Sequence, residues 1–365
     1  MTTLTEDSVA RTTVSVSGVL SVTGKNAHLR VRGLTPSPED VQVPLALVQR
    51  YDLRPGDRVA GTARPRGRGG PAVLATVDGG RRDRPRFENL TPLFPTERLR
   101  LGPSPAGRII DLLAPVGKGQ RGLIVAPPKA GKTVILQTLA NAITTNHPEC
   151  ELIVLLVDER PEEVTDLRRK VPNARIVAST FDRPAAEHIE IADLAVESAK
   201  RGAEQGRDVV LLLDSLTRLG RAHNLAAPTA SRILAGGVAA GALYPPKKFF
   251  GAARNLEQGG SLTILATALV ETGSRMDEVF FEEFKGTGNM ELRLSRRLAD
   301  RRLYPALDIA ASGTRRDELM LPPAELAAAH KLRRMLLALD EQQAMTLLLD
   351  RIKETRSNAE FLALV

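Results

Sequence analysis

Three stretches of this 365-residue chain hold residue types that can handle a phosphate. The first is Gly122-Leu-Ile-Val-Ala-Pro-Pro-Lys-Ala-Gly-Lys-Thr133. The loop Pro128-Lys129-Ala130-Gly131 would curl round phosphate oxygens with the backbone N–H groups that follow Pro128, with the positive end of a helix behind it. Lys132 would reach the β- and γ-phosphates, and the Thr133 hydroxyl would hold Mg²⁺. The second is Val209-Val-Leu-Leu-Leu-Asp214-Ser215, an apolar run ending in a carboxylate that can hold a water on the same ion. The third is Ile153-Val-Leu-Leu-Val-Asp158-Glu159-Arg160, where Glu159 can orient or polarise the attacking water. Further on, Ser312-Gly313-Thr314-Arg315-Arg316 offers a guanidinium that could reach the γ-phosphate of a neighbouring subunit, an effect worth roughly a thousandfold or more in rate. Each acid alone also fits a helix cap after a strand, and each arginine a solvated surface. The usual first glycine of a phosphate loop is Ala126 here.

The elements that must position these groups are legible. Leu123–Val125 reads as a strand before the loop, and Ile135, Leu139 and Ile143 follow it at helical spacing. Further apolar strands are expected at Leu152–Val157, Ile176–Ala178, Val209–Leu213 and Leu262–Ala266. Continuous rather than alternating apolarity marks strands buried on both faces, hence a parallel α/β sheet between helices. Carboxylates then fall at the carboxyl ends of strands, where such sheets bind ligands. Helices are expected from Pro161 and from Pro184 to Arg201, and through the last forty residues. There Leu332, Met335, Leu336 and Leu339 line one face, and Met345, Leu348, Leu349 and Ile352 another.

The first part of the chain reads differently. Residues 1–13 form a polar, flexible tail. From Val14 to Val77, five short strands separated by turns suggest a small Greek-key barrel of OB type. Such barrels bind single-stranded nucleic acid on aromatic platforms. The second strand, Lys25-Asn26-Ala27-His28-Leu29-Arg30, offers His28 as its only ring, with Arg30 beside it. A purely structural barrel with basic edges fits as well. Seven arginines between Arg64 and Arg86, set among Gly and Pro, read as phosphate-attracting loops or as a solvated charge run. The resulting segments are a barrel over 14–80, an Arg-rich linker over 81–107, an α/β motor over 108–325 and helices over 326–365.

Composition narrows the setting. Hydrophobic content of 42% and charged content of 26% are those of a soluble globular protein, and the length predicts two or three domains. A net charge of +8 favours a polyanionic partner, nucleic acid first. Cys150 is the only cysteine, which excludes an internal disulfide and a cysteine cluster for zinc. With no signal pattern at the start and no apolar run near the ~18 residues that span a bilayer, a cytoplasmic location is expected.

From Phe87 to about Ile352 the chain resembles the bacterial transcription termination factor Rho family. The most specific pieces are Phe87-Glu-Asn-Leu-Thr-Pro, Gly119 to Thr133, Asp158-Glu-Arg-Pro-Glu-Glu-Val-Thr165, Phe249-Phe-Gly-Ala-Ala-Arg-Asn255 and Glu282-Glu-Phe-Lys-Gly-Thr-Gly-Asn-Met290. The family's loop reads as this one does at Ala126. The resemblance implies an OB or cold-shock-like barrel followed by a RecA-like P-loop NTPase domain. It implies a homohexameric ring that hydrolyses ATP with Mg²⁺ and moves 5′→3′ along nascent single-stranded RNA. Its target is the RNA polymerase elongation complex.

By position, the resemblance gives Lys129, Lys132 and Thr133 to nucleotide phosphates and Mg²⁺, Glu159 to catalysis, Arg160 to a nucleotide-linked gate and Asp214 to the Walker-B acid. Arg315 matches the arginine finger and Arg302 a second sensing arginine. Tyr304 falls where the family stacks an aromatic on adenine. Arg232 to Ala239, with Ile233, Gly236 and Gly237, matches one central-channel RNA loop. Gly273-Ser274-Arg275-Met276 matches the other. The sequence departs from the family in lacking its N-terminal helical piece and in having Ala239 for Asp and Arg275 for Lys. Asn26 and His28 stand in the places of two stacking aromatics. The motor therefore reads as intact and the RNA-loading end as altered. A non-terminating paralogue that binds RNA or co-assembles with another Rho is the alternative; a RecA-like or rotary-ATPase relative acting on DNA or protein is a second.

Overall fold

A computed structural model of the chain describes residues 13–66, 70–78 and 84–365. Most of the expected tail, together with Arg68, Arg81 and Arg82, lies outside the described residues. The chain forms two compact units, 1–86 and 87–365.

In the first unit, β1 (Val14–Thr23), β2 (Asn26–Arg30), β3 (Val41–Gln42), α1 (Leu45–Arg50), β4 (Arg58–Arg66) and β5 (Gly70–Leu74) follow in order. The strands close into a barrel in the order β1-β2-β3-β5-β4. Alternation puts Leu20, Ala27, Leu29, Val41, Ala63 and Leu74 inside. The last strand ends at Leu74, three residues before the expected Val77.

The second unit opens on residues expected to be a linker. Phe87 is instead buried, with Lys200 at 5.8 Å and Arg254 at 4.8 Å from its ring centroid. Its N–H donates to Glu204 at 2.7 Å. β6 (Pro92–Leu93) pairs with β13 (Arg254–Leu256), and β7 (Arg98–Leu99) with β8 (Val116–Gly117). Residues 87–107 are thus anchored by single apolar side chains, such as Leu99 and Leu101, too widely spaced to show a period.

The main sheet runs β11 (Arg175–Thr180), β10 (Glu151–Glu159), β12 (Asp208–Asp214), β14 (Ser261–Leu269), β9 (Arg121–Ala126), β15 (Met290–Arg293), β16 (Gly313–Thr314). Pairing is parallel from β11 to β15 and antiparallel at β16. Around it lie α2 (Pro105–Leu113), α3 (Lys132–Asn146), α4 (Pro161–Lys170), α5 (Ala185–Ala203), α6 (Leu216–Leu225), α7 (Tyr244–Phe250), α8 (Arg275–Lys285) and α9 (Arg296–Asp300). The helices begin where the chemistry of their first turns dictates. Pro161 occupies the first turn of α4 ahead of Glu162 and Glu163, and basic residues close it. Ser215 and Ser274 cap α6 and α8 through their hydroxyls.

The chain ends in α10 (Pro323–Leu337), α11 (Glu341–Lys353) and α12 (Asn358–Leu362). Leu332, Leu336, Met345, Leu348 and Ile352 face the core, but Met335 is 51% exposed and Leu339 is exposed too. The buried stripe of α10 is narrower than its apolar residues suggest.

Candidate active site

β9 delivers the chain to the phosphate loop. Ala126 is its last residue and is fully buried, so the methyl group is accommodated there. The loop turns through left-handed backbone at Lys129 (φ 65°) and Gly131 (φ 96°). Gly131 is the residue before α3, and a side chain there would be strained in that conformation. A β-carbon on it would also come within 3.5 Å of the Tyr304 ring, so that ring stands beside the loop. Pro128 and Lys129 are exposed, Ala130 is buried and Thr133 is half-buried in the first turn of α3.

The two strand-end carboxylates meet at Lys132. Its Nζ lies 2.6 Å from Asp214 Oδ1 and 3.4 Å from Glu159 Oε2. Both acids are buried, Glu159 at 2% and Asp214 at 3% exposure. Thr267 Oγ1, from the next strand β14, donates to Asp214 Oδ1 at 2.8 Å. Arg218 of α6 pairs with Glu159 at 3.0 Å and donates to the Asp158 carbonyl. Burial opposes ionisation of Glu159, but Lys132 and Arg218 outweigh it and hold its carboxyl below the usual range. Glu163, half-buried and facing the Glu159 charge, is pushed the other way by burial first and by that charge second.

A bulge decides which acid of the Asp158-Glu159 pair enters the site. The β10–β11 register shifts between Val157 and Glu159, and Asp158 takes φ 56°. The extra residue turns Glu159 inward to Lys132. Arg160 follows with its N–H on Glu159 Oε1 at 3.2 Å and its side chain exposed.

Other expected residues lie apart. Arg302 is exposed in left-handed backbone, φ 61°. Arg315 is exposed at the far end of the sheet. Its N–H donates to the Asn289 carbonyl, just before β15. Thr314, Met290 and Gly122 occupy one row across β16, β15 and β9. The phosphate loop begins at the other end of β9, about 13 Å away at ~3.3 Å per residue. Arg315 thus lies at the end of the sheet opposite the phosphate loop of its own chain.

The two expected channel loops touch each other. Residues 232–239 form a hairpin closed by the Ile233–Ala239 bridge, with Leu234 N–H on the Val238 carbonyl at 2.7 Å. Arg232, Ile233 and Gly237 are exposed, and Ala239 is buried with its N–H on Asn224 Oδ1. Gly236, at φ 71°, lies so close to Arg275 that a β-carbon would sit 2.7 Å from the Arg275 carbonyl oxygen. Gly273 and Arg275 are exposed, Ser274 caps α8, and Met276 is half-buried with its Sδ 3.9 Å from Asn224 Nδ2.

Residue-by-residue reading missed the helix that links these parts. Arg218, Arg221 and Asn224 recur every three residues on α6. Arg218 holds Glu159, Arg221 forks onto Asp277 at 2.8 and 2.5 Å, and Asn224 holds the returning arm of the hairpin at the Gly237 carbonyl and the Ala239 N–H. Asp277 is 1% exposed and also accepts from Thr272 at 2.6 Å. The signal was three polar residues on one helical face directly after Asp214.

In the barrel, His28 is half-buried and Asn26 exposed. Arg30 does not fit the expected RNA contact. It is 8% exposed, and its guanidinium pairs with Asp40 at 2.5 Å. A strand's alternation gives the face of a residue but not the loop that covers it.

A phosphate loop behind a parallel strand, with carboxylates ending the two strands on the far side of β14, defines a P-loop nucleotide-binding protein. Residues 107–314 match the ATP synthase alpha/beta family, nucleotide-binding domain, and residues 16–92 match the Rho termination factor, RNA-binding domain. The chain is 60% identical to the transcription termination factor Rho of Streptosporangium roseum, covering 95% of this chain and 91% of that one. It is 58% identical to that of Micrococcus luteus, covering 100% of this chain but 55% of the relative. It is 59% identical to that of Streptomyces lividans, covering 96% and 51%. The chain thus spans about half the length of the last two. A type III secretion system ATPase superposes with TM-score 0.60 at 26% identity, covering 74% of this chain and 78% of that one. The assembled secretion ATPase EscN from enteropathogenic E. coli, at 23% identity and TM-score 0.63 over 81% and 78%, shares the fold. The chain belongs to the Rho family of transcription termination factors.

Proposed function

We propose that the chain is an RNA-dependent ATPase and 5′→3′ RNA translocase. It works as a homohexameric ring on nascent transcripts and RNA polymerase elongation complexes in the cytoplasm. The observation that carries this reading is Lys132 lying between Glu159 and Asp214 behind a left-handed phosphate loop, in a chain whose barrel matches an RNA-binding domain.

The donor set suits Mg²⁺, because the Thr133 hydroxyl and the Asp214 carboxylate are hard oxygen ligands. When bound, the ion neutralises charge on the β- and γ-phosphates. Lys132 adds its ammonium to the same oxygens, and the Tyr304 ring, beside the loop, packs on the adenine. Glu159 directs a water at the γ-phosphorus and is placed to receive its proton as the bond to the β,γ-bridging oxygen breaks. Arg315 and Arg302 come from a neighbouring subunit to stabilise the charge that develops, and Arg160 gates the site. Arg232, Ile233, Gly236 and Gly237 with Gly273, Ser274, Arg275 and Met276 form the RNA-gripping loops.

The test is Glu159→Gln. It should bind ATP within a few-fold of the parent and lose a hundredfold or more in turnover with saturating RNA, since general-base groups contribute about 10²–10⁴-fold. Undiminished hydrolysis would sink the role given to Glu159. Transcript release from stalled elongation complexes should require the same carboxylate. A non-terminating paralogue is favoured by one observation, the polar Asn26 and His28 on the barrel, and would show ATP hydrolysis without release.

A further inference from the structure

Residues 1–86 contain fourteen Lys or Arg against eight Asp or Glu, so +6 of the chain's net +8 lies in less than a quarter of its length. The same residues contain a single Phe, Tyr or Trp, which is Tyr51. Tyr51 sits at the end of α1 with the Arg50 guanidinium 5.6 Å from its ring centroid. The barrel's strands bring a different set together. His28 is opposite Gln42, Gln42 is beside Val73, and Val73 is opposite Arg64. Ala27, Leu29, Val41, Leu74 and Ala63 alternate with these residues and fill the core, so the row faces outward. Arg64 is exposed and has no partner among the described residues. Asn26 lies exposed two residues before His28 on the same face of β2. Arg30, next on that face, is consumed by Asp40.

A base is read by its edges only when something holds it flat against the protein. Aromatic rings do this on barrels of this kind, and the row has only one imidazole. Phosphate contacts, by contrast, fix a strand without reporting its sequence. We infer that the barrel takes single-stranded RNA by its phosphates across the His28–Gln42–Val73–Arg64 row and is indifferent to base, so that purine-rich RNA loads as well as pyrimidine-rich RNA. This rests on the RNA-dependent reading of the whole chain and names the substrate class within it.

The experiment uses the full chain and labelled oligo(rA) and oligo(rC) of about twelve nucleotides, within the size an OB barrel spans. Binding is followed by fluorescence anisotropy over a salt series, with ATPase stimulation by poly(A) and poly(C) measured in parallel. The expected result is Kd values within about threefold of each other, with both affinities falling together along a steep salt slope. Arg64→Ala should weaken both oligonucleotides equally and lower the slope by about one. The double variant Asn26→Phe, His28→Phe should tighten binding by on the order of tenfold or more, because two stacking rings are added. A tenfold preference for oligo(rC) that survives high salt overturns base indifference and leaves the RNA-dependent ATPase standing. Equal binding unaffected by Arg64→Ala overturns the placement on this row. Failure of every RNA to bind and to stimulate hydrolysis overturns the proposed function and this inference with it.

Discussion

Glu159 is a buried carboxylate that stays charged because two cations face it. Burial alone would raise its pKa; Lys132 and Arg218 reverse the sign and bring it below the ordinary 4.5. A depressed folded-state value means that the ion pair stabilises the fold above the unfolded pKa, and that this contribution is lost as pH falls through the folded one. Hydrolysis that depends on ionised Glu159 should therefore persist to the acid side of 4.5. Arg218→Ala removes one of the two cations, and the acid limb of the ATPase pH profile should move to higher pH. A pH–rate profile of the two chains checks this; coincident acid limbs would show that Arg218 does not tune the base. At this scale the sequence was readable wherever the phosphate-handling pattern lies in a contiguous run. Lys132, Thr133 and Asp214 announce themselves by motif, whereas Thr267 and Arg218 reach Asp214 and Glu159 only through the sheet and α6. Arg30 was misplaced for the opposite reason: its partner Asp40 is ten residues on, in a loop with no pattern to read.

α6 is the element that joins the Lys132–Glu159–Asp214 cluster to the 232–239 hairpin and the start of α8. Its three-residue spacing stacks Arg218, Arg221 and Asn224 on one side, and each grips a different piece of machinery. A shift of Glu159 on hydrolysis would pull the same helix that holds Asp277 and the hairpin. Arg221→Ala should leave nucleotide affinity within a few-fold while reducing RNA stimulation of turnover tenfold or more. It should also lower stability by about 2–3 kcal/mol, since among the described side chains Asp277 keeps Thr272 alone as a partner for its buried carboxylate. Denaturant melts and ATPase titrations with RNA separate the two effects; full RNA stimulation in a destabilised chain would reduce Arg221 to a brace. The parallel sheet itself was legible, because strands such as Val209–Leu213 are apolar throughout and can only be central. The short edge strands β6, β13 and β16 were not, since two or three residues carry no period.

On the scale of the whole molecule, the phosphate loop and Arg315 occupy opposite ends of one sheet. Arg315→Ala should cut turnover by about a thousandfold with ATP affinity nearly unchanged. Mixing it with Glu159→Gln chains then gives a sharper reading. Each variant is inactive alone, yet mixed rings place an intact Glu159 beside a neighbour's intact Arg315, so activity should return on mixing. Two inactive variants that stay inactive together would place the finger within its own chain and contradict the sheet geometry. The domain outline was legible in the change from short alternating strands to long apolar ones. The expected linker was not, because Phe87 is anchored by Lys200, Glu204 and Arg254, all more than a hundred residues away.

That division of the sheet has a consequence for supply. If Arg315 acts on a neighbour's phosphate loop, as proposed, a solitary chain owns one half of each of two reaction centres and the whole of none. Output then follows encounters between chains rather than their number, so dilution should silence the protein well before any chain unfolds. By the same logic, an overexpressed Arg315→Ala chain would act as a poison: it would assemble with intact chains while withholding from each neighbour the group that neighbour lacks.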